Sequence, residues 1–407
     1  MRPLKIVVAW WRAWLLLAAV EACGAAGTMD PAQALARLFN EAEAQRSNGL
    51  YVHEHGIPVR ESLFGTRDRL IPMYSVTKVF TGIAIGLAVD QGLIPSIEEP
   101  IATYYPEVAA DPLKSRITVR HLLQHTSGIL TTQGSGDIYP QKDFVRFALE
   151  SEMVSTPGEV FRYNNRAINL ASGIVRKVTG QSMEEYLVKH VFGPLGIKDY
   201  KFRHDKAGHT WAMDGLQLKV SDLVKVGTML ADKGRWRGQG ILSERWLAVA
   251  SQASLLTVDS GLPYGLAMFC LDLDGRVAVP KSTVELLEKG GLDPALVAKV
   301  RPFGDREFKR ARELGEALKA VMSTGELEQV SAAAGRAMVP VFVNLDDRKL
   351  LAHDGEIGEI LIAFPGYGIS IARTIDDSRG RGKPHGLREV YTLAYGLLPP
   401  LKAPARP

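Results

Sequence analysis

Apolar residues near the start of the chain first recur at helical spacing and then alternate with polar residues. Apolar side chains three and four positions apart follow an Asp-Pro pair and predict a helix over residues 30–46. Two short runs, at residues 50–53 and 57–63, flank a His-Gly pair. This arrangement predicts two strands joined by a tight turn.

A long block with helical patterns follows this hairpin. The helix predicted over residues 75–90 has one apolar face and ends at a Gln-Gly pair. Further helices are predicted at 119–124 and at 168–178, where the pattern stops at Gly180. The middle of the chain, up to about residue 192, is therefore expected to be mostly helical and rich in loops.

Strand patterns return late in the chain. They are predicted at residues 264–271 and 339–344, and a hairpin around a Pro-Gly pair joins 359–364 to 369–374. A closing helix is predicted over 387–398. Early and late strands around a helical middle predict an α+β fold, in which both ends of the chain share one antiparallel sheet flanked by helices.

The order of these elements predicts one large folded unit over residues 27–407. Its sheet part is expected at about 30–74 and 205–400, and its helical part, a mostly helical second domain, at about 75–204.

Residues 280–336 are predicted to form a helical insertion within the sheet part, with a longer amphipathic helix at 305–322. The insertion is either a peripheral decoration or a cap over one side of a site, and the sequence leaves both open.

The first residues have the order of a secretory signal peptide. A basic start with Arg2, Lys5 and Arg12 precedes a short apolar run, and small residues follow. We expect residues 1–26 to be removed and the protein to be periplasmic or extracellular. Because Arg12 separates the apolar residues 6–11 from the apolar run at 13–20, neither stretch approaches the ~20 residues of a membrane span, and no stable span is expected. Cys23 loosely resembles a lipoprotein acceptor, which leaves lipidation open.

Composition and charge exclude several classes of partner. The net charge of +4 over 407 residues is small, and no Lys/Arg stripe with interleaved aromatic residues occurs, so nucleic-acid binding is not expected.

His121 and His125 have a spacing found in metal sites, but no adjacent Glu pattern supports zinc. No phosphate-cradling glycine loop occurs, and neither a metal nor another cofactor is expected. The oligomeric state stays open.

Ser75-Val76-Thr77-Lys78 is the first candidate for chemistry. Residues three apart at a helix start lie on one face, so the lysine amine can reach the serine hydroxyl. A serine hydroxyl becomes a good nucleophile only when a neighbour accepts its proton, and a desolvated lysine can do this. S-x-x-K alone is a weak motif, since an N-cap serine beside an exposed lysine has the same pattern.

Two further segments have polar groups suited to the same chemistry. Tyr163 and Asn165 follow a Pro-Gly-Glu turn and precede an apolar helix. A tyrosine hydroxyl beside a lysine can relay a proton, and an asparagine amide can hold both the lysine and a substrate carbonyl. His353 and Gly355 precede the late hairpin. A glycine there would let a substrate lie against the strand, and the next amide could donate to an oxyanion.

Taken together, these motifs resemble the serine β-lactamases and penicillin-binding proteins. They are most similar to the class C-like branch, which includes D,D-peptidases and family VIII-type carboxylesterases. That branch combines S-x-x-K, Y-x-N and K-T-G or H-x-G, and the chain matches these motifs at Ser75, Lys78, Tyr163, Asn165, His353 and Gly355. The sequence H-L-L-Q-H-T-S-G at residues 121–128 also resembles a segment of that family.

The resemblance implies a β-lactamase/transpeptidase-like fold and a serine hydrolase that acts on a small molecule or a peptide. Ser75 would be acylated, and Lys78 and Tyr163 would handle its proton. Asn165 would orient the lysine and the substrate, and His353 would hold the substrate and the tyrosine hydroxyl.

The amides of Ser75 and Glu356 would form the oxyanion hole beside Gly355. Glu356 departs from the family, which often has Ser or Thr at this position. Its carboxylate could repel a substrate carboxylate if it faces the cleft. His353 stands where dedicated β-lactamases have a lysine, so an esterase is favoured over a β-lactamase. The alternative is a non-catalytic module of the same fold that binds cell-wall peptides.

The N-terminal pattern gives a prediction about processing. Export and cleavage should leave a mature N-terminus between Ala22 and Asp30. N-terminal sequencing of the exported protein checks this, and exported protein that still begins at Met1 would contradict it.

Overall fold

The computed structural model describes most of the chain between residues 29 and 399. The described ranges are 29–132, 134–256, 263–271, 275–376, 378 and 387–399. The predicted signal peptide at 1–26 and the candidate acceptor Cys23 lie outside them. Within these ranges, no helix combines the length and the apolar character that crossing a membrane demands.

The strands fall early and late in the chain, with short pairs between. In chain order they are β1 (Gly49–Glu54), β2 (Ile57–Ser62), β3 (Ile71–Pro72), β4 (Gln217–Leu218), β5 (Arg235–Trp236), β6 (Gln239–Gly240), β7 (Phe269–Leu271), β8 (Val277–Ala278), β9 (Glu307–Phe308), β10 (Val343–Asn344), β11 (Leu350–Asp354), β12 (Ile360–Phe364) and β13 (Ile369–Thr374).

Six strands form the main sheet, in the order β2-β1-β13-β12-β11-β7, and each neighbouring pair is antiparallel. β1 pairs with β13 along its whole length, from Gly49 opposite Thr374 to Glu54 opposite Ile369. The first and last strands of the described residues are thus hydrogen-bonded neighbours, which confirms the predicted α+β fold.

The α-helices surround this sheet and fill the middle of the chain. They are α1 (Pro31–Ala44), α2 (Thr77–Asp90), α3 (Val119–Leu123), α4 (Phe144–Glu150), α5 (Leu170–Thr179), α6 (Met183–Leu187), α7 (Gly193–Leu195), α8 (Val220–Ala231), α9 (Glu244–Ala250), α10 (Lys281–Lys289), α11 (Pro294–Val300), α12 (Ala311–Lys319), α13 (Thr324–Ala337) and α14 (Leu387–Tyr395).

Helices cover both faces of the main sheet, and the central strand β12 is accordingly buried and apolar on both sides. α1 and α14 pack on one face, where Leu38 and Tyr391 share a core cluster with Ile362. α8 packs on the other face, against β1, β12 and β13. A Cβ added at Gly227 of α8 would lie 2.9 Å from Leu361 Cδ1, so the helix approaches the sheet as closely as a glycine permits.

α2 is the buried helix between the sheet and the helical part. Its residues from Thr77 to Ala88 are all buried, and it contacts α5, α6 and α9. A helix packed on all sides cannot rotate or slide without opening voids in the core. Side chains at its N-terminus are therefore fixed in position.

Two late strands are shorter than predicted. Of residues 264–271 only Phe269–Leu271 joins the main sheet, because a turn brings Tyr264 back to bridge Phe269. Of residues 339–344 only Val343–Asn344 is a strand, and it pairs with β8 in a separate three-stranded sheet.

Residues 280–336, predicted as a helical insertion, contain α10 to α13. The single long helix predicted at 305–322 is wrong at its start, where Glu307–Phe308 pairs with β8 instead. This pairing buries Phe308, whose ring centroid lies 6.2 Å from that of Phe303. Burial of an aromatic side chain here outweighs the local helical pattern.

Candidate functional site

Ser75 lies in a 3₁₀ turn, Tyr74–Val76, that leads directly into α2. The N–H of Met73 donates to the carbonyl of Leu216 at 2.8 Å, which fastens this turn to the neighbouring β4 segment. Tyr74 has a φ of +45°, a left-handed conformation that is uncommon for a bulky residue. The strained turn leaves Ser75 half-buried at the N-terminus of a buried helix.

Lys78 is fully buried one helical turn further on. Its Nζ donates to Ser75 Oγ at 3.0 Å and to the carbonyl of Met213 at 2.6 Å. The amine also lies 4.9 Å from the centroid of the Tyr163 ring. Burial lowers the pKa of Lys78 to about 7, although the charges of Asp214 and Asp354 oppose the change. A buried amine that is partly neutral at pH 7 can accept a proton from the adjacent hydroxyl.

His353 brings the second and third motifs together. Its Nδ1 faces the carbonyl of Asp354 at 2.9 Å, and because a carbonyl only accepts, Nδ1 carries the proton. Nε2 is then an acceptor for the hydroxyls of Tyr264 at 3.2 Å and Tyr163 at 3.5 Å. Burial, reinforced by the charge of Lys78, lowers the pKa of His353 to about 3. The imidazole is therefore neutral across the range in which most enzymes work.

Asn165 lies beside Tyr163 but its amide turns to another partner. Its Nδ2 donates to Ser135 Oγ at 2.8 Å, and its Oδ1 is buried with no hydrogen-bond partner among the described residues. Its backbone carbonyl accepts from Asn169 Nδ2 at 2.9 Å. The hydrogen bonds of the Lys78 amine go to Ser75 and Met213.

Gly355 and Glu356 follow the end of β11 in a turn. A Cβ added at Gly355 would lie 2.1 Å from Glu359 Oε2, so the glycine makes room for the buried carboxylate of Glu359. The side chain of Glu356 is exposed, and its charge raises the pKa of Asp214 together with the larger effect of burial. Glu356 therefore acts electrostatically on the residue that follows Met213.

Sequence reasoning missed several groups that complete the site. Met213 contributes a backbone carbonyl, which every residue type has, so no sequence signal could have revealed it. Tyr264 lies in a segment predicted to be a strand, and nothing in that pattern indicated that its hydroxyl contacts His353. Asp214 accepts from the Tyr139 hydroxyl at 2.7 Å, and its other oxygen is buried with no hydrogen-bond partner in the described part of the chain.

The insertion contributes a half-buried carboxylate to a cluster of ion pairs with α3. Glu328 of α13 pairs with Arg120 and, at 2.8 Å, with His121 Nε2, and Arg120 also pairs with Glu98. Despite burial, the charge of Arg120 and its neighbours lower the pKa of Glu328 to about 2. A Cβ on Gly158, which has a φ of +85°, would lie 2.4 Å from Glu328 Cδ. The insertion thus packs on α3 and on the turn that precedes Tyr163.

The ring of His121 is fully engaged without a metal. Its Nδ1 accepts from the N–H of Thr118 at 3.1 Å, and its Nε2 pairs with Glu328. Elsewhere Asp143, Asp205 and His209 bring potential ligand atoms within 4.8 Å of one another. Both oxygens of Asp205 already accept backbone N–H donors there, at 2.8 Å each.

Comparison with known sequences links this arrangement to one family. The sequence model described as Beta-lactamase matches residues 34–380. A Beta-lactamase of Escherichia coli (strain K12) is 32% identical over 146 residues, which is 36% of this chain and 36% of that protein. Esterase EstB of Burkholderia gladioli is 28% identical over 190 residues, or 42% of this chain and 46% of that protein. The chain spans less than half the length of these two curated relatives.

Comparison with solved structures gives the same fold. A penicillin-binding protein homologue from Caulobacter crescentus superimposes with a TM-score of 0.58, covering 91% of this chain and 98% of the other. Only 16% of the aligned residues are identical, so this likeness concerns the fold alone. It agrees with the β-lactamase/transpeptidase-like architecture expected from the motifs.

The environment of Lys78 gives a prediction that needs no substrate. Its amine should be mostly protonated below pH 7 and mostly neutral above it, because burial lowers its pKa to about 7. With ¹³Cε-labelled lysine, one NMR signal should titrate between about pH 6 and 8 and should be missing in Lys78→Met. A spectrum in which no lysine signal moves in that interval would contradict the lowered pKa of Lys78.

Proposed function

The chain belongs to the beta-lactamase family, and from that premise we propose that it is a serine hydrolase that cleaves an ester or amide carbonyl through an acyl-enzyme on Ser75. The supporting observation is the buried Lys78 amine, 3.0 Å from the serine hydroxyl and with a pKa lowered to about 7. A cation with an ordinary lysine pKa could not accept a proton at neutral pH.

In the proposed reaction Ser75 Oγ attacks the substrate carbonyl carbon, and its proton passes to Lys78 Nζ. The tetrahedral oxyanion collapses when the bond to the leaving alcohol or amine breaks, and that group takes up a proton through the Lys78 and Tyr163 pair. Water then attacks the acyl carbon and gives a proton to the Lys78 and Tyr163 pair, and the bond to Ser75 Oγ breaks as that oxygen takes the proton back and the acid is released. The amides of Ser75 and Glu356 are assigned to the oxyanion.

The surroundings of the site support neutral substrates over anionic ones. A lysine in place of His353 would be a permanent cation, whereas this imidazole, with a pKa lowered to about 3, is neutral. Carboxylates of Asp214, Asp354 and Glu356 lie close enough to act electrostatically on Lys78 or on one another. A β-lactam carries a carboxylate that these groups would repel, while a simple ester does not. We therefore favour an esterase over a β-lactamase.

The place of action belongs to the same proposal. We infer export to the periplasm or beyond the cell from the basic, apolar and small-residue order of residues 1–26. A substrate met there would be a small molecule or a peptide of the cell surface.

The first functional prediction concerns the nucleophile. Ser75→Ala should abolish covalent labelling by a fluorophosphonate and lower kcat for p-nitrophenyl butyrate by at least about 10³-fold, because no other group forms the acyl-enzyme. Ser135→Ala is the matched control, since this hydroxyl lies in the site but contacts Asn165 rather than Lys78. Wild-type turnover in Ser75→Ala would refute the mechanism, and absence of labelling in the wild type would favour the non-catalytic binding module.

The second functional prediction concerns charge selection. The p-nitrophenyl esters of 5-methylhexanoate and glutarate have similar shapes, but only the second ends in a carboxylate. After division by the uncatalysed rates, kcat/KM should favour the neutral ester by about tenfold, a typical effect of like charges across a partly screened cleft. Nitrocefin should be hydrolysed less efficiently than either p-nitrophenyl acetate or butyrate.

Glu356→Gln should lower the ratio of kcat/KM for the neutral ester to kcat/KM for the glutarate ester severalfold, because it removes one of the repelling charges. Glu107→Gln removes an exposed carboxylate outside the site and should leave the ratio unchanged. Equal or better hydrolysis of the glutarate ester or of nitrocefin would overturn the preference for neutral esters.

A further inference from the structure

His125 is a buried residue that the proposed mechanism does not use. It is the first residue of the H-T-S-G segment after α3 and is only 1% exposed. Its φ is +57°, in the left-handed region, where His, Asn and Asp are found more often than other non-glycine residues. The same conformation turns both its carbonyl and its ring toward the segment that carries Tyr163.

Three contacts join His125 to this segment. Its carbonyl accepts from the N–H of Arg162 at 2.8 Å, and its Nδ1 accepts from the N–H of Asn164 at 3.1 Å. The imidazole ring also lies against the Tyr163 ring, with 4.3 Å between the centroids. The residues on both sides of Tyr163 are thus hydrogen-bonded to one histidine, and the tyrosine ring rests on that histidine.

The second contact fixes the state of the imidazole. Because Nδ1 accepts, the proton must lie on Nε2, and this N–H is buried with no hydrogen-bond acceptor among the described residues. Burial lowers the pKa of His125 well below its usual value, and the nearby Lys78 and His353 add to the effect. The other side chains against the ring are Phe161, Tyr163 and Tyr264. Protonation of Nδ1 would place its hydrogen against the Asn164 N–H and break the hydrogen bond between them.

We infer that His125 is the positioning residue of Tyr163, holding its ring beside Lys78 and its hydroxyl within reach of His353 through the amides of Arg162 and Asn164. This inference rests on the proposed function, in which Tyr163 relays a proton. A tyrosine on a loop with free amides would sample many orientations, and small misplacements of a proton relay reduce turnover strongly.

Two substitutions separate the parts of this role. His125→Asn removes the ring but keeps an acceptor at the position of Nδ1 and tolerates a positive φ. His125→Phe keeps a ring against Tyr163 but has no acceptor for the Asn164 N–H. His53→Phe is the matched control, since His53 is also a buried histidine but lies in β1, where it pairs with Glu61.

The experiment measures kcat and KM for p-nitrophenyl butyrate, together with the melting temperature of each variant. His125→Phe should lower kcat at least tenfold and change KM less than threefold, whereas His125→Asn should stay within about threefold of the wild type in kcat. His53→Phe should lower the melting temperature without lowering kcat. A kcat for His125→Phe within twofold of the wild type, or equal losses in His125→Phe and His125→Asn, would overturn the inference.

A second readout is independent of turnover. The ¹⁵N shifts of the His125 ring should show the neutral Nε2–H tautomer from pH 8 down to pH 5. A protonated ring at pH 6, or an Nδ1–H tautomer, would overturn the positioning role even in an active enzyme. Absence of ester hydrolysis and of labelling in the wild type would instead refute the proposed function, so the two failures are distinct.

Discussion

The site depends on the burial of the Lys78 amine, whose Nζ contacts Ser75 Oγ and the carbonyl of Met213. In water this amine would be a stable cation. Removing an amine from water costs several kcal/mol, and proteins lower this cost by shifting the pKa toward the neutral form. α2 imposes that cost here, because it is buried on all sides and carries Lys78 into the core. The lowered pKa of Lys78, and with it the proposed activation of the Ser75 hydroxyl, follow from the same packing.

The rest of the molecule holds partners around this amine from distant parts of the sequence. β4 and the segment before it bring Met213 and Asp214 to one side, and the end of β11 brings His353 to the other. Tyr163 arrives on a loop, which has no regular hydrogen bonds of its own to fix it. His125 and the turn at Gly158, packed on Glu328 of the insertion, constrain that loop. The insertion thus packs against the turn that leads to Tyr163.

Local chemistry explains why some of this was predictable from the sequence. Ser75 and Lys78 are three residues apart, so helical geometry alone brings them together. The shared sheet followed from the separation of early and late strand patterns. The start of the helix predicted at 305–322 was wrong because Phe308 gains burial by pairing with a strand, a tertiary effect that no local pattern contains.

Groups that act through the backbone or through long-range contacts could not be predicted. The carbonyl of Met213 has no side-chain signature, and the left-handed conformation of His125 is invisible in its residue type. Tyr163 and His353 are 190 residues apart, and their 3.5 Å contact follows from the completed fold. Motif order indicated that they share a site, while the neutrality of His353 depends on burial that only the structure reveals.

The central claim is that Ser75 becomes covalently acylated when a substrate is cleaved. Acid quenching during hydrolysis of p-nitrophenyl butyrate, followed by peptide mass spectrometry, tests it directly. A butyryl adduct is expected on the peptide that contains Ser75, and it should form more slowly in Lys78→Met than in the wild type. Sustained hydrolysis with the adduct on another residue, or with equal acylation rates in the two proteins, would contradict it.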